Sequence, residues 1–327
     1  MARTDLTIEE LIDYRPTVAE PADFDDFWNE TLNETRSFDL DVRLESVETP
    51  YRTVDIYDAS FRGFAGDRIN AWLLSPRNED GPRPAVVEFV GYNGGRDVPG
   101  ALLAWASAGY THLLVDTRGQ GSVWGGGGAT GDSYGSGPHA PGFMTKGIED
   151  PKSYYYRRVF VDAVRAIEVV RGLSEVDATK VAVQGISQGG GITLAAAGLA
   201  QDLVAVMPDV PFLCHFRRAV DICDQDPYTE ITRYLAVHRG AAEGTFATLS
   251  YFDGVNFAKR ASAPALFSVA LMDKICPPST VYAAYHAYGG AKEIVAYPFN
   301  DHEGGLSHQR LTQIKWLNRL IGFEKAS

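Results

Sequence analysis

The sequence predicts an α/β fold: a mainly parallel, twisted sheet with helices on both faces, preceded by an N-terminal extension of helices and antiparallel strands. Two features carry that expectation. Short apolar runs recur between residues 85 and 297, with helical periodicity between most of them, and strands that alternate with helices imply a parallel sheet. The run Val181-Ala-Val183 leads into Gly185-Ile-Ser187-Gln-Gly189 and then into the helix-compatible run Ile192–Ala200, which reads as strand, sharp turn and helix. A chain of 327 residues accommodates one such domain with additions.

Taken in order, Thr7-Ile-Glu-Glu10 has the spacing of a capping box and opens a first helix. A second helix is expected from near Pro21, because Phe24, Phe27, Trp28 and Leu32 recur on one face. Residues 41–59 and 67–75 alternate as strands do, with Gly66-Asp67 marking the turn between them. Residues 1–75 therefore read as two helices followed by antiparallel strands. Ala85–Val90, His112–Val115, Val181–Val183, Val204–Met207, Ala265–Ala270 and Ile294–Tyr297 have the texture of buried parallel strands. The longest helical pattern, Tyr154 to Arg171, puts Val159, Ala163, Ala166, Ile167 and Val170 on one face.

Two intervals break the rhythm. Residues 116–153 are rich in glycine and include Trp124-Gly-Gly-Gly-Gly128, without the Lys-Ser or Lys-Thr of a phosphate-binding loop. Residues 208–264 hold helical patterns near 215–223, 228–238 and 255–260, far more than a crossover needs. They read as an inserted cap over the sheet edge, within a single domain spanning 1–327.

Composition narrows the function classes. A net charge of −12 disfavours nucleic acid and anionic membrane surfaces as partners. No apolar run approaches the length of a membrane span and no signal peptide is visible, so a cytoplasmic location is expected. Cys214, Cys223 and Cys276 form neither a disulfide framework nor a zinc pattern.

Gly185-Ile-Ser187-Gln-Gly189 matches the G-x-S-x-G nucleophile elbow of α/β-hydrolases. The glycines lack Cβ atoms, so backbone can close in around a serine whose hydroxyl stays exposed. A serine hydroxyl is a weak nucleophile and needs a base, which in turn needs an orienting acid. In this fold the order along the chain is serine, acid, histidine. His302, in the loop after Ile294–Tyr297, fits the base. His308 starts the terminal helical run and reads as surface, and His286 packs in a helical run. His215 and His238 belong to the insertion, and His112 and His139 precede Ser187. Asp273 fits the acid, because it ends the strand Ala265–Ala270 ahead of two prolines. Asp209 and Asp301 are its competitors. The oxyanion donors are expected at the main-chain N–H of Gln188 and of Tyr92, the latter in the loop Gly91-Tyr-Asn-Gly-Gly95.

Several segments together are similar to one family. These are Gly91–Gly95, Asp116-Thr-Arg-Gly-Gln-Gly121, Gly185–Gly189, Asp273-Lys-Ile-Cys-Pro-Pro-Ser-Thr280 and His302-Glu-Gly304. Tyr154-Tyr-Tyr-Arg-Arg-Val-Phe160, Pro211-Phe-Leu-Cys-His-Phe-Arg-Arg218 and Leu249–Phe257 join them. The chain resembles the acetyl xylan esterase and cephalosporin-C deacetylase family, carbohydrate esterase family seven, over nearly its whole length. The resemblance implies a triad at Ser187, Asp273 and His302, oxyanion donors at Tyr92 and Gln188, and a small acyl pocket at Trp124, Pro227 and Ile275. It implies hydrolysis of acetyl esters on xylo-oligosaccharides and cephalosporin C without metal or organic cofactor, in a cytoplasmic homohexamer. Arg118 and Gln120 match its signature and read as structural. The segment after Ser122 is richer in glycine than the family pattern. The same machinery acting on another small-acyl ester, a thioester or a peptide bond stays open, as does a catalytically silent binding protein of this fold.

Overall fold

The computed structural model describes residues 5–77, 81–134 and 141–323. Helix α1 (Ile8–Asp13) begins at Thr7, whose side chain accepts from the Glu10 N–H while Glu10 caps the Thr7 N–H in return. Helix α2 (Phe24–Arg36) starts three residues later than the expected Pro21, because the first turn closes only beyond Asp23. Its buried face carries Phe24, Phe27, Trp28 and Leu32.

The expected run 41–59 is two strands, β1 (Arg43–Val47) and β2 (Val54–Arg62), paired antiparallel. The break surrounds Pro50, which has no N–H to give a ladder. A short 3₁₀ turn, Phe64–Gly66, leads to β3 (Arg68–Pro76), antiparallel to β2. The remaining strands are β4 (Arg83–Phe89), β5 (Thr111–Val115), β6 (Val176–Ile186), β7 (Ala205–Asp209), β8 (Ala265–Ala270) and β9 (Lys292–Tyr297). Together they form one sheet in the order β1-β2-β3-β5-β4-β6-β7-β8-β9. From β5 to β9 every pairing is parallel, while β3 meets β5 antiparallel.

Helices cover both faces. On one lie α4 (Tyr155–Arg171) and α5 (Gln188–Leu199), over a core that includes Val87, Val183, Phe160, Ile192 and Leu194. On the other, α3 (Ala104–Ser107) and α11 (Leu306–Ile321) bring Trp105, Trp316 and Leu317 against Val86, Ala182, Ala205 and Met207. Residues 208–264 hold α6 (Phe216–Ile222), α7 (Tyr228–Val237), α8 (Ala242–Ser250) and α9 (Gly254–Ala258). Helix α8 lacked a sequence signal: its Ala-, Gly- and Thr-rich run has almost no apolar face. Helix α10 (Pro278–Ala287) joins β8 to β9. Among the described residues no helix is long and apolar enough to cross a membrane.

Candidate active site

The turn from β6 into α5 holds Ser187 at φ 56° and ψ −119°, a conformation that L residues avoid unless their surroundings enforce it. Two main-chain bonds fix it. Its N–H donates to the Asp209 carbonyl at 2.9 Å, and its carbonyl accepts from the Phe212 N–H at 2.9 Å. The neighbouring glycines permit the approach. A Cβ on Gly185 would stand 2.3 Å from the Gly189 carbonyl, and one on Gly189 would stand 2.1 Å from the Phe89 carbonyl oxygen. The Gln188 N–H lies in the first turn of α5, where helix N–H groups have no partner within the helix and favour negative charge.

His302 follows β9, and Asp273 follows β8. With its ring proton on Nδ1, His302 donates to Asp273 Oδ2 at 2.9 Å, while Nε2 faces Ser187 Oγ at 2.9 Å. Asp273 is buried, and its other oxygen accepts from the N–H groups of Ile275 and Cys276, each at 2.8 Å. Those bonds aim the carboxylate at the ring. Asp301 accepts from the N–H groups of His302 and Lys274, so it braces the loop rather than the imidazole. Asp209 is engaged elsewhere, by the side-chain amides of Gln309 and Gln313 at 3.0 and 2.7 Å. Burial pushes its carboxyl up to about 6. Asp273, Cys276 and His302 each present a potential metal ligand within 4.8 Å of the others, although Asp273 and His302 already share a hydrogen bond.

The remaining histidines stand apart from Ser187. His308 and His238 are exposed, and His286 Nε2 meets the Leu11 carbonyl at 3.1 Å. His215 Nε2 meets the Tyr14 hydroxyl at 3.1 Å, and His112 is buried beside Glu88. His139 lies outside the described residues.

Ser187 and His302 open into a cavity of about 430 Å³ that Tyr92, Trp124, Pro227 and Ile275 also line. Every side chain expected at the acyl pocket therefore reaches the same space as the serine. The Trp124 indole donates to the Tyr92 carbonyl at 2.7 Å and packs so closely on Gly94 that a Cβ there would meet it at 2.3 Å. Close approaches account for part of the glycine in this loop: a Cβ on Gly126 would stand 2.1 Å from the Asp97 carboxylate, and one on Gly128 would stand 2.7 Å from the Gln120 carbonyl oxygen. Cβ atoms on Gly95 and Gly121 would collide with the Gly127–Gly128 backbone at 2.2 and 2.3 Å. The two loops lie backbone to backbone, and glycine is the residue that lets them.

Two neighbours of the site are not legible as such in the sequence: Gln120, which stands out only as a structural part of a signature, and Glu230, which has no local signal. The Gln120 carbonyl oxygen accepts from the Asn93 N–H at 2.8 Å, and its amide donates to Gln188 Oε1 at 2.8 Å, which ties the loop bearing Tyr92 to the serine turn. Arg118 instead makes a two-pronged pair with the buried Asp162 at 2.6 and 2.8 Å. Glu230 accepts from the Tyr92 hydroxyl at 2.7 Å, across 138 residues of chain.

A family model described as acetyl xylan esterase matches residues 1–320 of this chain. An acetyl xylan esterase from Paenibacillus sp. R4 is 39% identical and superposes with a TM-score of 0.90, over 96% of this chain and 99% of that one. Acetyl xylan esterase 1 from Thermoanaerobacterium sp. JW/SL YS485 is 34% identical with a TM-score of 0.88, over 97% and 99%. An acetyl esterase of Xylanibacter ruminicola is 28% identical over 94% of this chain and 69% of its own length. The acylaminoacyl peptidase of Pyrococcus horikoshii, at 18% identity and a TM-score of 0.61 over 84% of this chain and 42% of that one, shares the fold.

Proposed function

The chain belongs to the acetyl xylan esterase family and is a carboxylic ester hydrolase, and from that premise we propose that it removes acetyl groups from xylo-oligosaccharides and cephalosporin C through an acyl-enzyme on Ser187. The observation that carries the serine mechanism is the unbroken line from Asp273 Oδ2 through both ring nitrogens of His302 to Ser187 Oγ, at 2.9 Å for each contact. Ser187 Oγ attacks the acetyl carbonyl carbon as its proton passes to His302 Nε2. Asp273 holds the ring in the tautomer that can accept it and stabilises the imidazolium that forms. The oxyanion is met by the N–H groups of Tyr92 and Gln188, fixed before the charge develops. Collapse expels the sugar alcohol, which takes the proton from His302. A water molecule then repeats the sequence on the acyl-enzyme and releases acetate.

The preference for acetyl rests on Trp124, Pro227 and Ile275. Bulky apolar walls beside the reacting carbon admit a methyl group and displace the carbonyl of a longer acyl chain, which loses rate through misalignment. On the same family premise the protein assembles as a cytoplasmic homohexamer. A steady-state comparison of acetylated xylobiose, cephalosporin C and p-nitrophenyl acetate tests the substrate assignment. The expected result is turnover of all three with acetate released. Hydrolysis of p-nitrophenyl acetate alone would remove the sugar and the antibiotic from the proposal.

A further inference from the structure

Glu230 sits on α7, in the 208–264 insertion, and is a carboxylate with only 6% of its surface exposed. A buried carboxylate persists only where donors meet it, and the mechanism above gives this one no task. Each of its two oxygens accepts a hydrogen bond. Oε1 accepts from the Tyr92 hydroxyl at 2.7 Å and Oε2 from the Met144 N–H at 3.1 Å. The Tyr92 hydroxyl in turn accepts from the Phe143 N–H at 3.0 Å. One carboxylate thus joins three segments far apart in the chain: the Gly91–Gly95 loop, residues 143–144, and the insertion.

We propose that Glu230 is a positioning residue of the oxyanion site: by clamping the Tyr92 side chain it fixes the Tyr92 main-chain N–H opposite Ser187. This rests on the assignment of that N–H as an oxyanion donor. The side chain and the N–H share one Cα, and because the packed ring has little room to turn about χ1, a displacement of the phenol is passed through Cα to the amide. The ring is packed edge-on by Phe143 and Phe212, at centroid distances of 5.8 and 6.2 Å, and the Glu230 bond sets where along that slot it stops. The other ties of the loop hold different atoms. Trp124 binds the Tyr92 carbonyl, and Gln120 binds the Asn93 N–H. Burial and the neighbouring carboxylate push the Tyr92 phenol up, so the hydroxyl keeps its proton and stays a donor. Through Glu230 the insertion takes part in alignment as well as in lining the pocket.

The test compares Glu230→Ala, Glu230→Gln, Tyr92→Phe and the double variant Glu230→Ala/Tyr92→Phe. Losing an oxyanion donor outright lowers kcat by roughly 10²–10³-fold, and a displaced donor retains part of its effect. Glu230→Ala should therefore lower kcat on p-nitrophenyl acetate by about 10- to 100-fold, with KM changed less than about threefold. Phenylboronic acid, whose tetrahedral adduct needs the same N–H, should bind more weakly by a similar factor. Glu230→Gln, which keeps an acceptor for the Tyr92 hydroxyl, should recover part of the loss. The double variant should be no worse than either single one, because both remove the same bond. A thermal melt with each variant separates misalignment from unfolding. If Glu230→Ala does not fold, Glu230→Gln and Tyr92→Phe carry the comparison.

The proposal is overturned if kcat stays within twofold in the folded variants, if kcat falls without weaker boronate binding, or if the single losses multiply in the double variant. Ser187→Ala, measured alongside, keeps the two ideas apart. If it stays active, the active-site assignment itself fails. If it is dead while the Glu230 variants work normally, only the clamp fails.

Discussion

A single methyl group at Gly189 tests the geometry of the serine turn. A Cβ there would lie 2.1 Å from the Phe89 carbonyl oxygen and 2.8 Å from its carbon. Both atoms are main chain at the end of β4, hydrogen-bonded into the sheet, so no side-chain rotation relieves the clash. Ordinary van der Waals contact begins at 3.4 Å, so the Gly189→Ala variant must part α5 from β4 by about 1 Å. Overpacking of this kind destabilises by about 1–3 kcal/mol. The catalytic effect should be larger than the stability effect. Gln188 N–H rides on the α5 side of the gap, and the loop bearing Tyr92 leaves from the β4 side, so the shift separates the two proposed oxyanion donors. A displacement of about 1 Å lowers rates by roughly 10²-fold. Urea unfolding and p-nitrophenyl acetate hydrolysis on the same preparation give both numbers. A variant within threefold of the parent kcat/KM, with an unchanged unfolding midpoint, would show that the turn does not position the donors as described.

Asp273→Asn should keep the fold and lower kcat by about 10⁴-fold by favouring the wrong tautomer of His302. Asp209→Asn should leave kcat within about tenfold, since Asp209 faces Gln309 and Gln313 rather than the imidazole, and kinetics of the pair would reveal a reversed ranking. On p-nitrophenyl acetate, butyrate and octanoate, kcat/KM should fall steeply with chain length, and Ile275→Ala should flatten the slope. Equal or better activity of the parent on octanoate would sink the small-pocket account, given about 1–3 kcal/mol of discrimination per methylene in a hydrophobic pocket. Burial alone would raise the Glu88 carboxyl, but the Arg310 guanidinium and the His112 ring beside it hold it at about 2, below its ordinary 4.5. A depressed carboxyl stabilises the fold above its unfolded value. That contribution, on the order of 3 kcal/mol, is lost as pH falls from 4.5 towards 2. Glu88→Gln should flatten this limb in urea titrations, and an unchanged slope would assign the acid sensitivity to other groups.

The parts of the molecule legible in the sequence are those written in local pattern. Strand β8 (Ala265–Ala270) and α4 follow from runs whose apolar residues are consecutive or helically spaced. Ser187, Asp273 and His302 stand out because each closes or follows a strand, in an order set by the fold. What stayed hidden depends on partners distant in the chain. Glu230 looks like any acidic residue near a helix start, and only folding brings it 2.7 Å from the Tyr92 hydroxyl. Gln120 could be noticed as part of a signature, yet its bridge between Asn93 and Gln188 needs three segments in place. The glycines at 125–128 have no local explanation either, because the atoms nearest to them belong to Asp97, Asp116, Gln120 and Gly121.

The central claim is that the acetyl group passes through a covalent bond to Ser187 Oγ, and covalent labelling tests it most directly. The protein is treated with a fluorophosphonate, its intact mass is measured, and the modified peptide is mapped. The account predicts one adduct per chain on the peptide carrying Ser187, loss of esterase activity in step with labelling, and neither label nor more than about 10⁻⁴ of the parent kcat in Ser187→Ala. An adduct on another residue, or a Ser187→Ala variant that keeps more than about a tenth of the activity, would contradict it.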